Sequence, residues 1–241
     1  MRHNWSVGGD RRARGTRLVG AAAAVTAVVA LLGTAAVIPV GASPDSDIAR
    51  ALGSATVRVE TATCGRGRVG TGVLFEGTIV TNRHVVEGAS SVDVIFDDGT
   101  RRPVEVIESS DRLDVARLSV SRVGGTRVGW GVERALRRVE FGERVWTLGH
   151  PGGAIRQRIL QTTVGGRAIG TFAPDPPNVT RLRTTAVPGD SGSPVADLRG
   201  RLVGLVYAAD RNGRWALVVD AVDLVAELPR LERRAFRSCS A

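Results

Sequence analysis

Apolar and polar residues alternate with a period of two over most of the chain after about residue 48. Because successive side chains of a strand point to opposite faces, this period is typical of β-strands with one buried face. Glycine, aspartate, asparagine or proline separates most of these segments, and Asp97–Gly99 and Arg211–Gly213 resemble hairpin turns. The pattern predicts strands over Ala55–Glu60, Thr71–Phe75, Gly77–Thr81, Val92–Phe96, Pro103–Ser109, Val115–Val120, Val145–Gly149, Arg156–Thr163, Arg181–Thr184, Leu202–Ala208 and Arg214–Val219.

Helical periodicity is confined to short segments of this part of the chain. A single helical turn is expected directly after His84. The apolar positions of Asp220–Leu228 predict a short helix that Pro229 ends. The pattern therefore predicts an all-β fold, either a barrel or a sandwich, with a short C-terminal helix.

An uncharged and mostly apolar segment, Leu18–Ile38, lies near the N-terminus and predicts a hydrophobic helix. Such a helix would be about 31 Å long, which is enough to cross a bilayer. Arginines precede it, so the rest of the chain is expected outside the cytoplasm. Residues 1–42 are interpreted as a signal peptide, cleaved after the small residues Val40–Ala42, or as a retained membrane anchor. Residues 43–49 are expected to form a linker.

The formal net charge is +9, and the chain contains arginine but no lysine. The coding bias of a GC-rich genome accounts for this choice, whereas an anionic partner such as nucleic acid or a lipid surface is the functional alternative. The charge is uneven, because five arginines and one aspartate lie in residues 1–42. Aromatic residues are few, so the pattern does not indicate nucleic-acid binding.

The segment Pro188–Pro194, with the sequence PGDSGSP, places glycines around a serine. A serine hydroxyl becomes a nucleophile when a base takes its proton and when donors face the oxyanion that forms. Glycines allow a sharp turn without Cβ clashes, and such a turn can direct the amides of Gly189 and Ser191 to one point. We interpret Ser191 as a nucleophile and these two amides as an oxyanion hole, with an ordinary polar turn as the alternative.

Two further segments supply a base and a carboxylate. His84 follows the apolar strand that ends at Thr81, which would hold its imidazole at a strand edge. Asp114 opens an apolar strand, where a partly buried carboxylate needs a partner such as an imidazole N–H. Asp111, in the preceding loop, is the rival candidate. The order His84, Asp114, Ser191 matches one known arrangement of a catalytic triad.

These segments resemble the trypsin-like (chymotrypsin-fold) serine peptidases, and in particular the bacterial HtrA-like and actinobacterial MarP-like branch. The matching segments are Gly70–Phe75, Ile79–Val86, Leu113–Leu118, Gly149–Gly153 and Gly189–Pro194. The resemblance implies a protease domain over 50–241, with two packed six-stranded β-barrels at about 50–135 and about 136–228 and a tail at 229–241. The triad would lie in the cleft between the barrels.

The resemblance also implies a substrate pocket in the second barrel. Alignment on Ser191 places Thr185 at the base of this pocket, where trypsins keep an aspartate, so a preference for lysine or arginine is not indicated. Tyr207, Ala208 and Ala209 would form the edge strand that pairs with the substrate backbone. A small or medium apolar residue is the expected P1 side chain. The chain is expected to lack the PDZ modules of HtrA-like relatives, which leaves its oligomeric state open.

Cys64 and Cys239 are the only cysteines. Outside the cytoplasm an even pair indicates a disulfide, which would tether the first barrel to the C-terminal tail as in MarP-like relatives; two unpaired thiols are the alternative. The histidines and cysteines show no zinc spacing, and the G-x-G-x-x-G pattern at Gly65–Gly70 leads into a strand and not a helix. Neither a metal nor another cofactor is therefore expected. His150 is interpreted as a loop residue of the second barrel.

Taken together, these features predict a serine endopeptidase that acts outside the cytoplasm on protein or peptide substrates through an acyl-enzyme. A catalytically idle binding or scaffold domain on the same fold is the main alternative. A basic surface protein that binds an anionic envelope polymer is a further one.

Overall fold

The structure is a computed structural model, and it describes residues 46–121, 135, 137–170 and 178–239. The hydrophobic helix predicted at 18–38, the signal or anchor segment that contains it and the first residues of the predicted linker lie outside this range. Within the described residues, no helix has both the length and the apolar character that crossing a membrane requires.

Strands dominate the described part of the chain, as the alternating pattern predicts. The strands are β1 (Thr56–Thr63), β2 (Arg66–Phe75), β3 (Thr78–Thr81), β4 (Ser91–Ile95), β5 (Arg101–Ser109), β6 (Ala116–Val120), β7 (Arg144–Gly149), β8 (Arg158–Ile169), β9 (Asn178–Leu182), β10 (Pro194–Ala196), β11 (Leu202–Ala209), β12 (Ala216–Asp220) and β13 (Glu232–Arg234). The helices are α1 (Ser46–Ala55), α2 (Arg83–Val86) and α3 (Ala221–Glu227), with 3₁₀ turns at Pro151–Gly153 and Leu228–Arg230.

The strands form two closed barrels of six strands each. The first has the order β5-β4-β1-β2-β3-β6 and closes because β5 also pairs with β6. The second has the order β10-β11-β12-β9-β8-β7. Strand β13 comes from the C-terminal tail and pairs with β5, so the chain returns to the first barrel after completing the second. The predicted pair of six-stranded barrels with a short C-terminal helix is confirmed.

The burial of β2 shows where the barrels meet. Strand β4 keeps a simple alternation, with Val92 and Val94 buried between more exposed neighbours. In β2, by contrast, all of Gly70–Phe75 is buried. One face of this segment lies in the first barrel, and Thr71 donates a backbone hydrogen bond to Ser191 O of the second barrel over 2.8 Å. Continuous burial is expected for a strand that is covered on both faces.

Helix α1 was not predicted, and it begins inside the segment expected to be a linker. Its buried residues are Leu52 and Ala55, and the hydroxyl of Thr56 donates to Leu52 O over 2.7 Å at its end. A ten-residue helix has little stability of its own, so packing of its apolar residues accounts for it. Ile48, Leu52 and Ala55 are spaced i, i+4, i+7, a helical period that the interpretation of 43–49 as a linker missed.

The turn between β2 and β3 corrects one predicted boundary. Glu76 and Gly77 both have positive φ, at 47° and 78°. Two-residue hairpin turns of type I′ need positive φ at both positions, because only that backbone twist matches the flanking strands. Gly77, predicted as the first residue of a strand, therefore lies in the turn.

A disulfide joins Cys64, in the turn between β1 and β2, to Cys239 in the C-terminal tail. Their Cα atoms lie 5.3 Å apart, within the usual range for a disulfide. The tail is also held by a hydrogen bond from Arg237 N to Ala89 O of 2.7 Å. The predicted disulfide between the first barrel and the tail is confirmed.

Candidate active site

Strand β3 delivers His84 to the start of helix α2. The imidazole Nδ1 lies 2.6 Å from Asp114 Oδ2, and the backbone N–H of His84 donates to Asp114 Oδ1 over 2.9 Å. An ionised carboxylate only accepts hydrogen bonds, so Nδ1 carries the proton and Nε2 is left as a base. The side chain of Asp114 is 7% exposed and that of His84 is 44% exposed. Asp114 is thus shielded from solvent, whereas the imidazole of His84 is open to it.

The backbone on each side of this pair is held by long polar side chains. The guanidinium of Arg68 donates to His84 O over 2.6 Å and also to Glu87 O. Because a four-residue helix leaves its last carbonyl groups without helical partners, Arg68 caps α2 at its C-terminal end. On the other side, the Asn82 amide donates to Asp114 O over 2.9 Å. Neither Arg68 nor Asn82 was singled out from the sequence.

The loop before Asp114 is bonded to the C-terminal helix. Ser110 Oγ accepts hydrogen bonds from the amides of Arg112 and Leu113 over 2.9 and 3.0 Å. The same hydroxyl donates to Glu227 Oε1 of α3 over 2.5 Å. Glu227 is 4% exposed, so this contact is inside the protein. Helix α3 therefore holds the loop that carries Asp114.

Asp111, the rival for the third position, lies elsewhere. Its carboxylate contacts Arg234 at 2.8 Å and Arg83 at 3.0 Å, and its side chain is 66% exposed. The hydrogen bond from Arg234 is the main cause that lowers the pKa of Asp111. The structure brings Asp114, and not Asp111, to His84.

The loop that carries Ser191 depends on its glycines. Gly189 and Gly192 have positive φ, at 96° and 88°. A Cβ on Gly189 would lie 2.2 Å from His150 O, and one on Gly192 would lie 1.8 Å from Thr71 O. Both contacts are with backbone atoms that cannot move aside. Glycine is therefore required on each side of the Asp190–Ser191 dipeptide, in agreement with the turn predicted from the sequence.

Hydrogen bonds also fix the orientation of two peptide groups in this loop. Pro188 O accepts from Gly152 N over 2.7 Å, and Asp190 O accepts from Ser193 N over 3.0 Å. In a trans peptide the C=O and the next N–H point in opposite directions, so the amides of Gly189 and Ser191 face away from these donors. Within the described part of the chain, neither amide has a protein acceptor. The two amides predicted as an oxyanion hole are thus available to an external oxygen.

Thr71 of β2 holds the same loop from the first barrel. Its N–H donates to Ser191 O over 2.8 Å, and its hydroxyl donates to Gly189 O over 2.7 Å. The hydroxyl also accepts from His150 N over 3.1 Å. Thr71 is fully buried. The sequence indicated it only as part of a matching segment, and nothing local predicts its partners.

The hydroxyl of Ser191 donates to Tyr207 O over 3.4 Å, which is long for an O–H···O bond. Among the described residues, no hydrogen bond joins this hydroxyl to His84. The backbones are nevertheless close, because a Cβ on Gly70 would lie 2.7 Å from Val85 Cγ1 and 3.2 Å from Ser191 O. The residue after His84 and the predicted nucleophile therefore pack against the same glycine of β2.

A small cavity of about 20 Å³ lies in the second barrel below the Ser191 loop. Thr185, predicted at the base of a substrate pocket, lines it and donates from its hydroxyl to Gly213 O. The full lining is Thr147, Gly149, Arg158, Leu160, Thr184, Thr185, Ala186, Asp190, Ser193, Val206 and Ala216. Apart from Thr185, these residues were not predicted for a pocket, because their approach depends on the closure of the barrel.

Tyr207, Ala208 and Ala209, the other predicted pocket residues, lie on β11 outside this lining. Ala208 and Ala209 pair with β12, whereas β10 pairs with β11 only as far as Leu205. The second edge of 207–209 therefore faces no strand of the described chain. An open edge is the feature that the sequence predicted for these three residues.

Burial shifts the pKa values of two titratable groups, one in the Ser191 loop and one beside it. Burial raises the pKa of Asp190, whose carboxylate accepts the amide of Val187 over 3.0 Å. Burial lowers the pKa of His150, which is 3% exposed and whose Nδ1 donates to Ala154 O over 2.9 Å. A neutral His150 with this contact belongs to the loop after β7, as predicted.

Comparisons with known proteins agree on one family. The family model described as a trypsin-like peptidase domain matches residues 70–205. The serine protease Do-like HtrA of Bacillus subtilis is 34% identical over 148 residues, covering 56% of this chain and 32% of the relative. The serine protease Rv3671c of Mycobacterium tuberculosis is 30% identical over 214 residues, covering 81% of this chain and 51% of the relative. The chain thus spans about half or less of the length of these curated relatives.

A solved structure shows the same arrangement of barrels. The active form of the Rv3671c protease from M. tuberculosis has a TM-score of 0.69 and 25% sequence identity, with coverage of 83% of this chain and 92% of that chain. The matched family segment contains His84, Asp114 and Ser191 and extends over more than half of the sequence. The chain therefore belongs to the trypsin-like peptidase family.

Proposed function

We propose that the chain is a serine endopeptidase in which His84, Asp114 and Ser191 form the catalytic triad. The observation that carries this proposal is the 2.6 Å contact between His84 Nδ1 and Asp114 Oδ2, which leaves Nε2 as a base on the open side of the pair. The packing of Ser191 O and Val85 against Gly70 supports a cleft shared by the base and the nucleophile.

The first chemical step is attack by Ser191 Oγ on the carbonyl carbon of the scissile peptide bond. The hydroxyl turns from its weak contact with Tyr207 O toward His84, whose Nε2 takes the proton. The amides of Gly189 and Ser191 stabilise the oxyanion. Because hydrogen bonds to Pro188 O and Asp190 O orient these amides before substrate arrives, little reorganisation is needed in the transition state.

The second step releases the amine and restores the serine. The imidazolium of His84 gives its proton to the leaving nitrogen, and Ser191 is left as an acyl ester. Water then attacks this ester, with His84 again taking and returning a proton. Asp114 stabilises the imidazolium and holds its orientation through both carboxylate oxygens. No cofactor takes part in these steps.

The substrate class follows from the edge strand and the cavity. An extended peptide would pair with the open edge of Tyr207–Ala209 and place its P1 side chain toward Thr185. The cavity there is small and is lined in part by Thr184, Ala186 and Ala216. We therefore propose protein or peptide substrates with a small or medium apolar P1 residue.

An extracytoplasmic location is proposed on three grounds. The Cys64–Cys239 disulfide is stable where the environment is oxidising. Arginines followed by the apolar segment 18–38 are typical of a signal peptide or a membrane anchor. A related protein of Bartonella henselae is described as a probable periplasmic serine endoprotease.

Active-site labelling tests the proposal. The full chain is treated with a fluorophosphonate probe, and cleavage of a denatured protein is measured in parallel. Ser191→Ala is expected to abolish labelling and to lower turnover by about 10⁶. Ser91→Ala is the matched control, because Ser91 is exposed on β4 of the first barrel and should leave labelling and turnover unchanged. Folded wild type that neither labels nor cleaves would instead support the idle scaffold domain.

A further inference from the structure

A group of stacked side chains lies on the second barrel, away from the triad. The guanidinium of Arg181 lies over the ring of Trp215 at 5.1 Å from its centroid, and that of Arg183 lies over the same ring at 5.5 Å. Arg183 also lies over the ring of Phe141 at 5.7 Å. These four residues, Phe141, Arg181, Arg183 and Trp215, are named the stacked-arginine patch.

The part of the chain that the structure describes does not neutralise the two arginines of this patch. Within the described part of the chain, neither Arg181 nor Arg183 forms an ion pair, and the buried Nε of Arg181 has no hydrogen-bond partner. On the same barrel, by contrast, Arg167 pairs with Asp220 at 2.6 Å. The nearby carboxylate of Asp210 instead accepts backbone amides in the turn before Trp215.

The patch is rigid as well as cationic. The ring of Trp215 packs on the bare backbone of Gly165, where a Cβ would lie 2.0 Å from the ring. Stacking on aromatic faces fixes the plane of a guanidinium and leaves its N–H edge free for planar acceptors. Phe141 is 71% exposed, so its ring presents an apolar face to solvent beside the arginines.

The patch adjoins the wall of the cavity below Ser191. Arg183 directly precedes Thr184 and Thr185, and Trp215 directly precedes Ala216, all of which line that cavity. The two segments are joined by a hydrogen bond from Ala216 N to Thr184 O of 2.5 Å. A polypeptide bound in the cleft would therefore have the patch within reach of its flanking residues.

We propose that the stacked-arginine patch is a secondary binding surface for acidic segments of protein substrates. Arg181 and Arg183 are two residues apart at the end of β9 and face the same ring, a spacing of about 6–7 Å along a strand. Carboxylates on alternate residues of an extended peptide have the same spacing. Each guanidinium edge would bind one carboxylate, and the exposed Phe141 ring would cover the peptide backbone. This inference rests on the proposed peptidase function of the adjoining cleft.

A binding measurement tests the stacked-arginine patch in a variant that cannot cleave the peptide. The full chain carrying Ser191→Ala is titrated into a fluorescein-labelled hexaglutamate peptide, and anisotropy is followed at low and at high salt. Binding is expected to weaken with salt, and hexaglutamine is expected not to bind. Adding Arg183→Gln should weaken the affinity at least about tenfold. Arg233→Gln replaces an exposed arginine of β13, which pairs with the first barrel; it is the matched control and should leave the affinity unchanged.

A second variant keeps the inference testable if Arg183→Gln does not fold. Phe141 is exposed, so Phe141→Ala should fold and still weaken hexaglutamate binding severalfold. Equal binding by the parent, Arg183→Gln and Phe141→Ala proteins would overturn the inference. It would also be overturned if vesicles of anionic phospholipid or a DNA duplex bound in an Arg183-dependent way and hexaglutamate did not.

Measuring kcat/KM on two peptides distinguishes failure of this inference from failure of the proposed function. Two peptides share one cleavable sequence, and one carries a glutamate tail where the other carries glutamine. In the wild type the acidic peptide should have the higher kcat/KM, and Arg183→Gln should bring the ratio close to one. Cleavage without preference would overturn the secondary surface and leave the peptidase intact. Hexaglutamate binding without any cleavage or labelling would overturn the peptidase alone.

Discussion

The two barrels differ in how closely hydrogen bonds hold the reactive side chains that each contributes to the candidate site. In the first barrel, both oxygens of Asp114 are bonded to His84, at 2.6 and 2.9 Å. In the second, the hydroxyl of Ser191 has only a 3.4 Å contact with Tyr207 O. The acid–base half is complete within one barrel, whereas the nucleophile half is not.

This difference follows from which contacts support each half. His84 follows β3 and Asp114 precedes β6, and these two strands pair with each other, so closing the first barrel places both residues. The Ser191 loop is held through Thr71, which belongs to the other barrel. Alignment of the nucleophile therefore depends on how the barrels pack. Substitutions in the two halves should accordingly have separable effects on turnover.

The largest effect after loss of the nucleophile is expected for Asp114→Asn. An asparagine amide can donate to Nδ1 and so favour the wrong tautomer of His84, which should lower kcat by about 10⁴. The measurement is kcat and KM on one peptide substrate. Asp111→Asn, which breaks only exposed contacts with Arg83 and Arg234, should stay within a fewfold of wild type. Equal losses in both variants would exclude Asp114 as the orienting group.

Thr71→Val should give the next largest effect, and it tests the nucleophile half. The substitution keeps the shape of the side chain but leaves Gly189 O and His150 N without their hydroxyl partner. Since loss of a whole oxyanion donor costs 10²–10³, displacement of the loop should lower kcat by about 10² with little change in KM. Thr71→Ser should restore most of the activity.

Thr56→Val is the matched control for Thr71→Val. Thr56 is also fully buried, and its hydroxyl also donates to a backbone oxygen, but that oxygen belongs to α1. Both variants should lower the thermal midpoint, and only Thr71→Val should lower kcat. If Thr71→Val lost stability and kept its turnover, the hydrogen bonds from Thr71 to the Ser191 loop would contribute to stability only.

Ser110→Ala should lower kcat less than Thr71→Val does. Combining it with other variants tests whether the two halves of the site act independently. Removing the hydroxyl frees the amides of Arg112 and Leu113 and leaves Oε1 of the buried Glu227 without its hydroxyl donor. A shift of the Asp114 loop should lower kcat about tenfold. Because distant sites contribute independently, the losses of Ser110→Ala and Thr71→Val should add in free energy. With Asp114→Asn, which acts in the same half, the loss should be less than additive.

The sequence predicted the reactive groups because each lies in a local signal. A strand end precedes His84, a strand start follows Asp114, and glycines flank Ser191. Their chain order then matches a known triad. The alternating period also placed most of the strands, since it depends only on neighbouring residues.

The groups that hold the reactive residues could not be predicted in this way. Thr71 and Gly189 are 118 residues apart, and Ser110 and Glu227 are 117 apart, so no local pattern joins them. Strands β10 and β13 are three residues long and are too short to show a period. The stacked-arginine patch likewise forms only when β9 and the segment before β12 become neighbours.

The smallest expected effect is a loss of stability in mild acid that originates in the nucleophile half. Burial lowers the pKa of His150, with Arg58 acting in the same direction and Asp190 opposing it. The unfolded chain therefore binds more protons at this residue, and stability should fall as the pH drops below about 6.5. His150→Gln should flatten that dependence, measured as the urea midpoint across this range.

Asp190 should change the stability with pH in the direction opposite to His150, which provides a check on the role of His150. Burial raises its pKa, so its folded carboxyl takes up a proton at a higher pH than the unfolded one does. Its contribution should therefore stabilise the fold as the pH falls toward about 3.8 and partly offset the loss from His150. Asp190→Asn removes that offset, and the acid loss should then become steeper. If Asp190→Asn and His150→Gln changed the slope in the same direction, the two buried groups beside the Ser191 loop would not be the source of the pH dependence.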